Sequence, residues 1–251
     1  LFEQMGKKIY LTQAGTAMLS HSRNIMQNLA AAAEEMNDLR GADSGRLRIS
    51  IASTVNYFAT QLLAVFAREH PSVEIILDVT NRESLLNRLE ANVPDLVLMG
   101  KPPADMDLVS EPFMDNPLVM IAATDHPLAS RKKIPIHDLA NTGFLVRESG
   151  SGTRAAMERF FVEQDFSYKK GMELMGNEVV KQGVEAGLGL ALVSVHTVEQ
   201  ELVLNRLVTL DVEGLPIMRR WYVAHRRGKR LSATAQAFRE FVLAAGMKAS
   251  N

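Results

Sequence analysis

Between Glu148 and Arg154 the chain reads Glu-Ser-Gly-Ser-Gly-Thr-Arg, with hydroxyls at Ser149, Ser151 and Thr153 and glycines at positions 150 and 152. Glycines let neighbouring backbone N–H groups turn toward one point. The hydroxyls add donors, and at a helix start the dipole and Arg154 both favour an anion. The same stretch also suits an ordinary glycine-rich N-cap loop, and it lacks the Gly-Lys-Ser/Thr of a phosphate-binding P-loop. Other polar groups recur just after apolar runs: Ser53 and Thr54, Asn81 and Arg82, Lys101, Arg147, and Asn177 with Lys181 one turn on. In open α/β sheets these are the strand ends where ligands bind. Each has a plainer alternative: Lys101 as a surface lysine, Asn177 as an N-cap, Arg82 and Arg147 as partners of Glu83 and Glu148. Catalysis finds no constellation. The histidines at 21, 70, 126, 137, 196 and 225 have no metal-ligand spacing, Ser194 and His196 alone build no nucleophile–base pair, and no Gly-x-Ser-x-Gly elbow occurs. No catalytic residue, metal ligand or cofactor is assigned; the expected ligand is a small anionic effector.

Those positions make sense only if strands and helices alternate. Leu47–Ala52, Val73–Val79 and Asp95–Gly100 read as strands, with helices after Ser53-Thr54 and from about Arg82 to Asn92. This βαβαβ order predicts a parallel, doubly wound sheet. Strands near Leu108–Phe113 and Leu118–Ala123 follow. A second unit repeats the pattern: strand Gly143–Arg147, helix Arg154–Gln164, strand Met172–Met175, helix from Asn177, strand Gly189–Ser194, helix Val195 to Asn205. Gly187 and Gly189 read as a helix C-cap and tight turn. The strand Arg220–Arg226 and a last amphipathic helix capped by Ser232 return to the first unit. The fold class is therefore α/β: two lobes, two crossovers and a cleft between them.

Composition sets the bounds. The 251 residues are 47% hydrophobic and 23% charged, and their net charge of −1 gives no general field for nucleic acid. Methionines fall among other apolar residues and read as core. No run of about 20 apolar residues offers a membrane span. The absence of cysteine excludes disulfides and thiolate chemistry and fits a reducing cytoplasm.

Ahead of the lobes, Gly6 allows a tight turn with Lys7 and Lys8 at its tip, which reads either as two charges that can reach phosphate or as an ordinary solvated turn. Ile9 and Leu11 alternate as in a short strand, and Thr12 suits an N-cap. From 16 to about 40 runs a helix with Met18, Ser22, Ile25, Leu29, Ala32, Met36 and Leu39 spaced as a heptad seam. It reads either as a helix packed on its own domain or as one that pairs with a second copy. Gly41-Ala42-Asp43-Ser44-Gly45 is a short linker.

The run Leu1-Phe2-Glu3, Gly6-Lys7-Lys8 and Leu11-Thr12-Gln13-Ala14-Gly15 resembles the end of the winged helix-turn-helix of LysR-type transcriptional regulators. The stretches 53–59, Asn81-Arg-Glu83, Met99-Gly-Lys-Pro-Pro103, 144–154, Asn177-Glu178 with Lys181-Gln182, Leu210–Pro216, Arg220–Val223 and Lys229–Ser232 are similar to the CbbR-like branch, regulators of carbon dioxide fixation operons. Lys101 stands where that branch carries an arginine, keeping charge but losing the bidentate fork. The resemblance implies a type 2 periplasmic-binding-protein fold. It divides the chain into a wing remnant at 1–15 with the recognition helix upstream, a linker and dimerisation helix with its hinge at 16–45, an effector lobe at 46–120 plus 219–251, and a second at 121–218. It implies operator DNA, a second copy (dimer or tetramer), RNA polymerase and an effector such as a sugar phosphate or NADPH as partners, and a cytoplasmic location without membrane contact. The alternatives are a LysR-type regulator of another operon, or an exported solute-binding protein, which would have no use for the wing and the heptad helix.

Overall fold

A computed structural model describes residues 1–38 and 44–249. In chain order the elements are β1 (Phe2–Met5), β2 (Lys8–Leu11), α1 (Gln13–Asp38), β3 (Ser44–Ala52), α2 (Asn56–Glu69), β4 (Ser72–Thr80), α3 (Arg82–Glu90), β5 (Leu96–Gly100), β6 (Leu108–Asp115), β7 (Leu118–Ala123), β8 (Gly143–Arg147), α4 (Gly152–Glu163), β9 (Lys169–Leu174), α5 (Asn177–Glu185), β10 (Ala191–Ser194), α6 (Glu199–Val203), β11 (Leu207–Leu210), β12 (Arg220–Arg226) and α7 (Ala233–Ala249). Among the described residues no helix is long and apolar enough to cross a membrane.

The first lobe is a five-stranded sheet in the order β4-β3-β5-β12-β6. Strand β3 is parallel to β4 and β5, whereas β12 runs antiparallel to β5 and β6. The sheet is thus mixed, not wholly parallel: only the first βαβαβ has crossover helices, and the late strand β12 enters from the other lobe in the opposite sense. Burial follows position. All five residues of β5, Leu-Val-Leu-Met-Gly, are buried, as a central strand requires, while edge strand β4 alternates between half-buried and exposed residues. Helices α2 and α7 close one face through Phe66, whose ring meets Phe238 edge-on at 5.0 Å. Gly246 lets α7 approach β6, since a β-carbon there would lie 1.8 Å from the Phe113 carbonyl oxygen.

The second lobe pairs β7 antiparallel with β10 and β11, and β8 parallel with β9. Strand β11 was not anticipated from the sequence, and the expected helix from Val195 to Asn205 is broken: a 3-10 turn at Val195–Thr197 precedes the short α6. Thr197 Oγ1 donates to the Ser194 carbonyl at 2.7 Å, a local alternative to continuing the helix. Gly189, at φ 155°, brings β10 against β8, where a β-carbon would lie 2.2 Å from the Gly143 oxygen. The core centres on Phe144, fully buried and edge-on to Phe161, Phe166 and Tyr168.

Two segments join the lobes, and they lie side by side. Asn116 N–H donates to the Arg219 carbonyl at 2.8 Å, and Leu118 and Ile217 exchange backbone hydrogen bonds at 3.0 Å. Ahead of the lobes, β1 and β2 form a hairpin around Gly6, at φ 65°, with Lys7 in the turn and Lys8 opening β2, both exposed. Thr12 Oγ1 accepts from Gly15 N–H at 3.1 Å, the N-cap of α1. The seam residues Met18, Ile25 and Leu29 are 53%, 66% and 65% exposed. Leu39 and the linker at 41–43 lie outside the described residues.

Phe144→Ala removes the hub of the second lobe's aromatic cluster and should cost about 3–5 kcal/mol in urea unfolding. A loss below about 1 kcal/mol would show that this lobe does not depend on the cluster.

Candidate anion-binding cleft

The carboxyl ends of β3 and β5 and the N-termini of α3 and α4 converge where the lobes meet. They enclose a small inner space of about 30 Å³, lined by Ser53, Thr54, Asn81, Arg82, Arg147, Ser151, Thr153, Arg219 and Trp221 together with apolar atoms. Among the described residues no carboxylate lines it. The Trp221 indole N–H is buried and has no hydrogen-bond partner among the described residues. Thr54 and Thr153 are buried as well. The lining is therefore rich in donors and positively charged, which suits an oxyanion.

Arg147 ties the lobes across this space. Its side chain is 4% exposed and donates twice to the Glu148 carboxylate, at 2.8 Å each, once to Ser53 Oγ at 3.2 Å, and to Asn177 Oδ1. Ser53 belongs to the first lobe and the other three residues to the second. Further ties lie around it. Glu83 N–H donates to the Gly150 carbonyl at 3.2 Å, Arg219 Nη1 to the Gly152 carbonyl at 3.1 Å, and the Tyr57 hydroxyl to Glu178. His196 bonds the Asp115 carbonyl through Nε2 at 2.9 Å and meets the Phe58 ring edge-on at 5.8 Å. Burial pushes the Tyr57 hydroxyl upward, and its bond to Glu178 adds to that, so it remains a donor. Burial also raises the Glu148 carboxyl, but the Arg147 guanidinium and the Gly176 N–H outweigh it and hold the group below its ordinary value.

Arg82, Gly152 and Arg219 line both the inner space and a neighbouring outer groove of about 860 Å³. Its walls are the residues after β5, the segment before β12, and one face of α4. Arg82 and Arg159 form no ion pair among the described residues, and Arg219 donates only to a carbonyl. Burial lowers the Arg82 guanidinium, and the charge of Arg159 lowers it further. Burial brings Arg219 down to about 10, with Arg82 and Arg159 pushing the same way.

The residues singled out in the sequence divide into two sets. Ser53, Thr54, Asn81, Arg82, Arg147, Ser151 and Thr153 line the inner space, and Lys101 lies exposed on the outer groove. Their local roles differ from simple expectation. Val55, not Ser53 or Thr54, precedes α2 as its cap, without a side-chain bond, and Ser53 and Thr54 line the inner space instead. Asn81 and Ser151 cap α3 and α4, accepting from Ser84 N–H at 3.0 Å and Arg154 N–H at 3.4 Å. Four residues are placed elsewhere. Ser149 is exposed outside both linings. Arg154 turns to Glu158 and Glu173, at 2.7 and 2.9 Å, because α4 carries it to the side opposite the groove. Lys181 is buried, paired with Glu201 at 2.9 Å and Glu178 at 3.0 Å, and lies 4.8 Å from the Tyr57 ring. Asn177 serves Arg147. Sequence reasoning missed Arg159, Arg219 and Trp221. Arg159 was within reach: it stands seven residues after Gly152, two helical turns along the same face. Arg219 and Trp221 gave no such signal, since the return of β12 to the first lobe alone brings them here.

Arg147→Ala should lower stability by about 3 kcal/mol, because it leaves the Glu148 charge without its partner and frees Ser53 and Asn177. The Glu148 contribution has a definite pH sign. With the folded pKa depressed, the stability is complete above the ordinary value of 4.5 and is lost as pH falls through the lower folded value. Glu148→Gln should flatten the pH dependence of unfolding between about pH 5 and 3; an unchanged slope would assign the acid loss to other carboxylates.

Comparison with known proteins gives this geometry a family. Residues 40–246 match the LysR substrate binding domain. The chain is 54% identical over 243 residues to the RuBisCO operon transcriptional regulator of Allochromatium vinosum, covering 97% of this chain and 80% of that protein. To the HTH-type transcriptional regulator CbbR of Rhodospirillum rubrum it is 46% identical over 245 residues, covering 98% and 81%. Among solved structures, the regulatory domain of Synechocystis PCC6803 CcmR in complex with 2-PG is 41% identical with a TM-score of 0.78, covering 81% of this chain and 98% of that one. With a periplasmic-binding-protein-like pair of lobes and this similarity along nearly its whole length, the chain belongs to the LysR family of transcriptional regulators and is similar to the regulators of RuBisCO operons.

Proposed function

We propose that this LysR-type regulator controls carbon dioxide fixation genes and that its lobes sense a small anionic metabolite in the cleft between them. The observation that carries the effector class is the inner lining: Ser53, Thr54, Ser151, Thr153, Arg82, Arg219 and Trp221, whose indole N–H has no partner among the described residues, line it with no carboxylate among those residues. The relatives' names supply the genes, and the CcmR complex supplies a precedent for an anion in such a domain. The inner space of about 30 Å³ is far below the roughly 300–1,000 Å³ of small-molecule sites, whereas the outer groove falls within that range. The effector accordingly parts the inner walls around its anionic head and extends its body into the groove. Binding shifts the balance between two lobe arrangements by the difference in its affinity for them. No other cofactor enters this scheme.

The readout is at the DNA. The hairpin carrying Lys7 and Lys8 acts as a wing against operator phosphates, which position but do not specify. The exposed heptad seam of α1 pairs with a second copy, giving a dimer or tetramer whose two-fold axis matches a palindromic operator. A change in lobe arrangement alters the spacing of the DNA-binding domains and their contact with RNA polymerase, in the cytoplasm. An allosteric coupling of about 1–3 kcal/mol suffices.

Isothermal titration tests the reading with 2-phosphoglycolate, phosphoenolpyruvate, ribulose bisphosphate and NADPH. Saturable binding by at least one of them, weakened tenfold or more by Thr153→Val or Ser53→Ala, is the expected result. No binding by any, in a folded chain, would remove the anionic-effector reading and leave the family assignment untouched.

A further inference from the structure

We infer that Arg82, Arg159 and Arg219 form a second anion subsite, in the outer groove, that takes a phosphate group. The inference rests on the reading of the cleft as an effector site but concerns different residues. Five cations line the outer groove against two carboxylates, and one of those, Asp115, already pairs with Arg220 at 3.3 Å. The other, Glu163, makes no ion pair among the described residues and stands one turn beyond Arg159 on α4. The three arginines come from three separate parts of the chain: the start of α3, the second turn of α4 and the segment joining the lobes. Their charges act on one another, and none has a carboxylate partner among the described residues. Surface arginines usually separate or pair, so three that line one groove, two of them half-buried and none in an ion pair among the described residues, leave electrostatic work for a ligand to relieve.

The backbone beneath them is cut to fit. A β-carbon at Gly152 would stand 3.1 Å from Arg82 Cδ, and one at Gly100 would stand 2.6 Å from Arg219 Nη2. Glycine at both positions leaves room for the two side chains, Gly152 between the groove and the inner space and Gly100 on the inner side. Donor number then selects the anion. A carboxylate offers two oxygens, which one guanidinium fork satisfies. A terminal phosphate offers three oxygens and a charge near −2, and three forks approaching from separate elements match it. Arg82 and Arg159 sit on different lobes, so the bound phosphate also bridges them. The phosphate has two conceivable sources, a free inorganic ion or the distal group of a metabolite whose first anion lies in the inner cleft.

The test is titration of the 251-residue chain with inorganic phosphate, 2-phosphoglycolate and ribulose 1,5-bisphosphate, at ionic strength matched with chloride, using the native chain, Arg159→Gln and Thr153→Val. Arg159 is exposed on α4, so its replacement spares the core. Inorganic phosphate should stabilise the native chain against heat, and Arg159→Gln should weaken its binding at least tenfold while Thr153→Val changes it less than twofold. If the source is the distal group, Arg159→Gln also weakens ribulose 1,5-bisphosphate at least tenfold, alters 2-phosphoglycolate less than twofold, and phosphate competes with the bisphosphate. If the source is a free ion, phosphate leaves the binding of 2-phosphoglycolate intact or tightens it. Phosphate and bisphosphate binding that are both absent, or both unchanged by Arg159→Gln, overturns the subsite. Failure of the organic ligands alone, with phosphate binding still dependent on Arg159, would instead overturn the effector reading and leave the subsite standing.

Discussion

The Arg147 guanidinium is the knot in this molecule. A charge only 4% exposed needs a full set of acceptors, and it finds them in the Glu148 carboxylate, Asn177 and Ser53. That requirement fixes several things together. The end of β8, the loop before α4 and the start of α5 must converge on one point, and the end of β3 must reach across from the other lobe. The inner cleft is therefore organised around a neutralised ion pair. With Glu148 committed to Arg147, the remaining positive charge of Arg82 and Arg219 faces the cleft uncompensated. The inner site is thus built by removing its own acid from play.

The like charges in the groove press the other way. Arg82 and Arg159 stand on opposite lobes, so their repulsion favours separation, while the bonds of Arg147 to Ser53, Glu83 to Gly150 and Tyr57 to Glu178 favour contact. A regulator whose lobes shift with ligand needs two arrangements of similar free energy. Opposed ties and repulsions within one cleft are a simple way to keep them close.

Much of this was legible in the chain. The buried run Leu96–Gly100 announced a central strand, the Ser-Gly-Ser-Gly-Thr loop announced a helix start with donors, and Thr12 and Ser232 announced their caps. What escaped has physical reasons. The sense of β12 depends on which lobe it arrives from, which no local periodicity encodes. Arg154 and Lys181 have the right chemistry for an anion, yet helix phase turns one toward Glu158 and Glu173 and buries the other with Glu201. Charge type names a candidate; only the angle around the helix axis tells which of Arg154 and Arg159 faces the cleft. Trp221 gave only a strand position, yet it is buried, lines the inner cleft and keeps an indole N–H without a partner among the described residues.

The two segments that join the lobes are hydrogen-bonded to each other, Asn116 to Arg219 and Leu118 to Ile217. Such a ribbon resists sliding and leaves twist about its own length as the soft motion. Arg219 sits on that ribbon with its side chain in the cleft. An anion held by Arg219 therefore acts with almost no lever arm: it changes the torsional stiffness of the axle itself, not the pull between two distant rims. A ligand of a few atoms can in that way set the angle between bodies of about a hundred residues each.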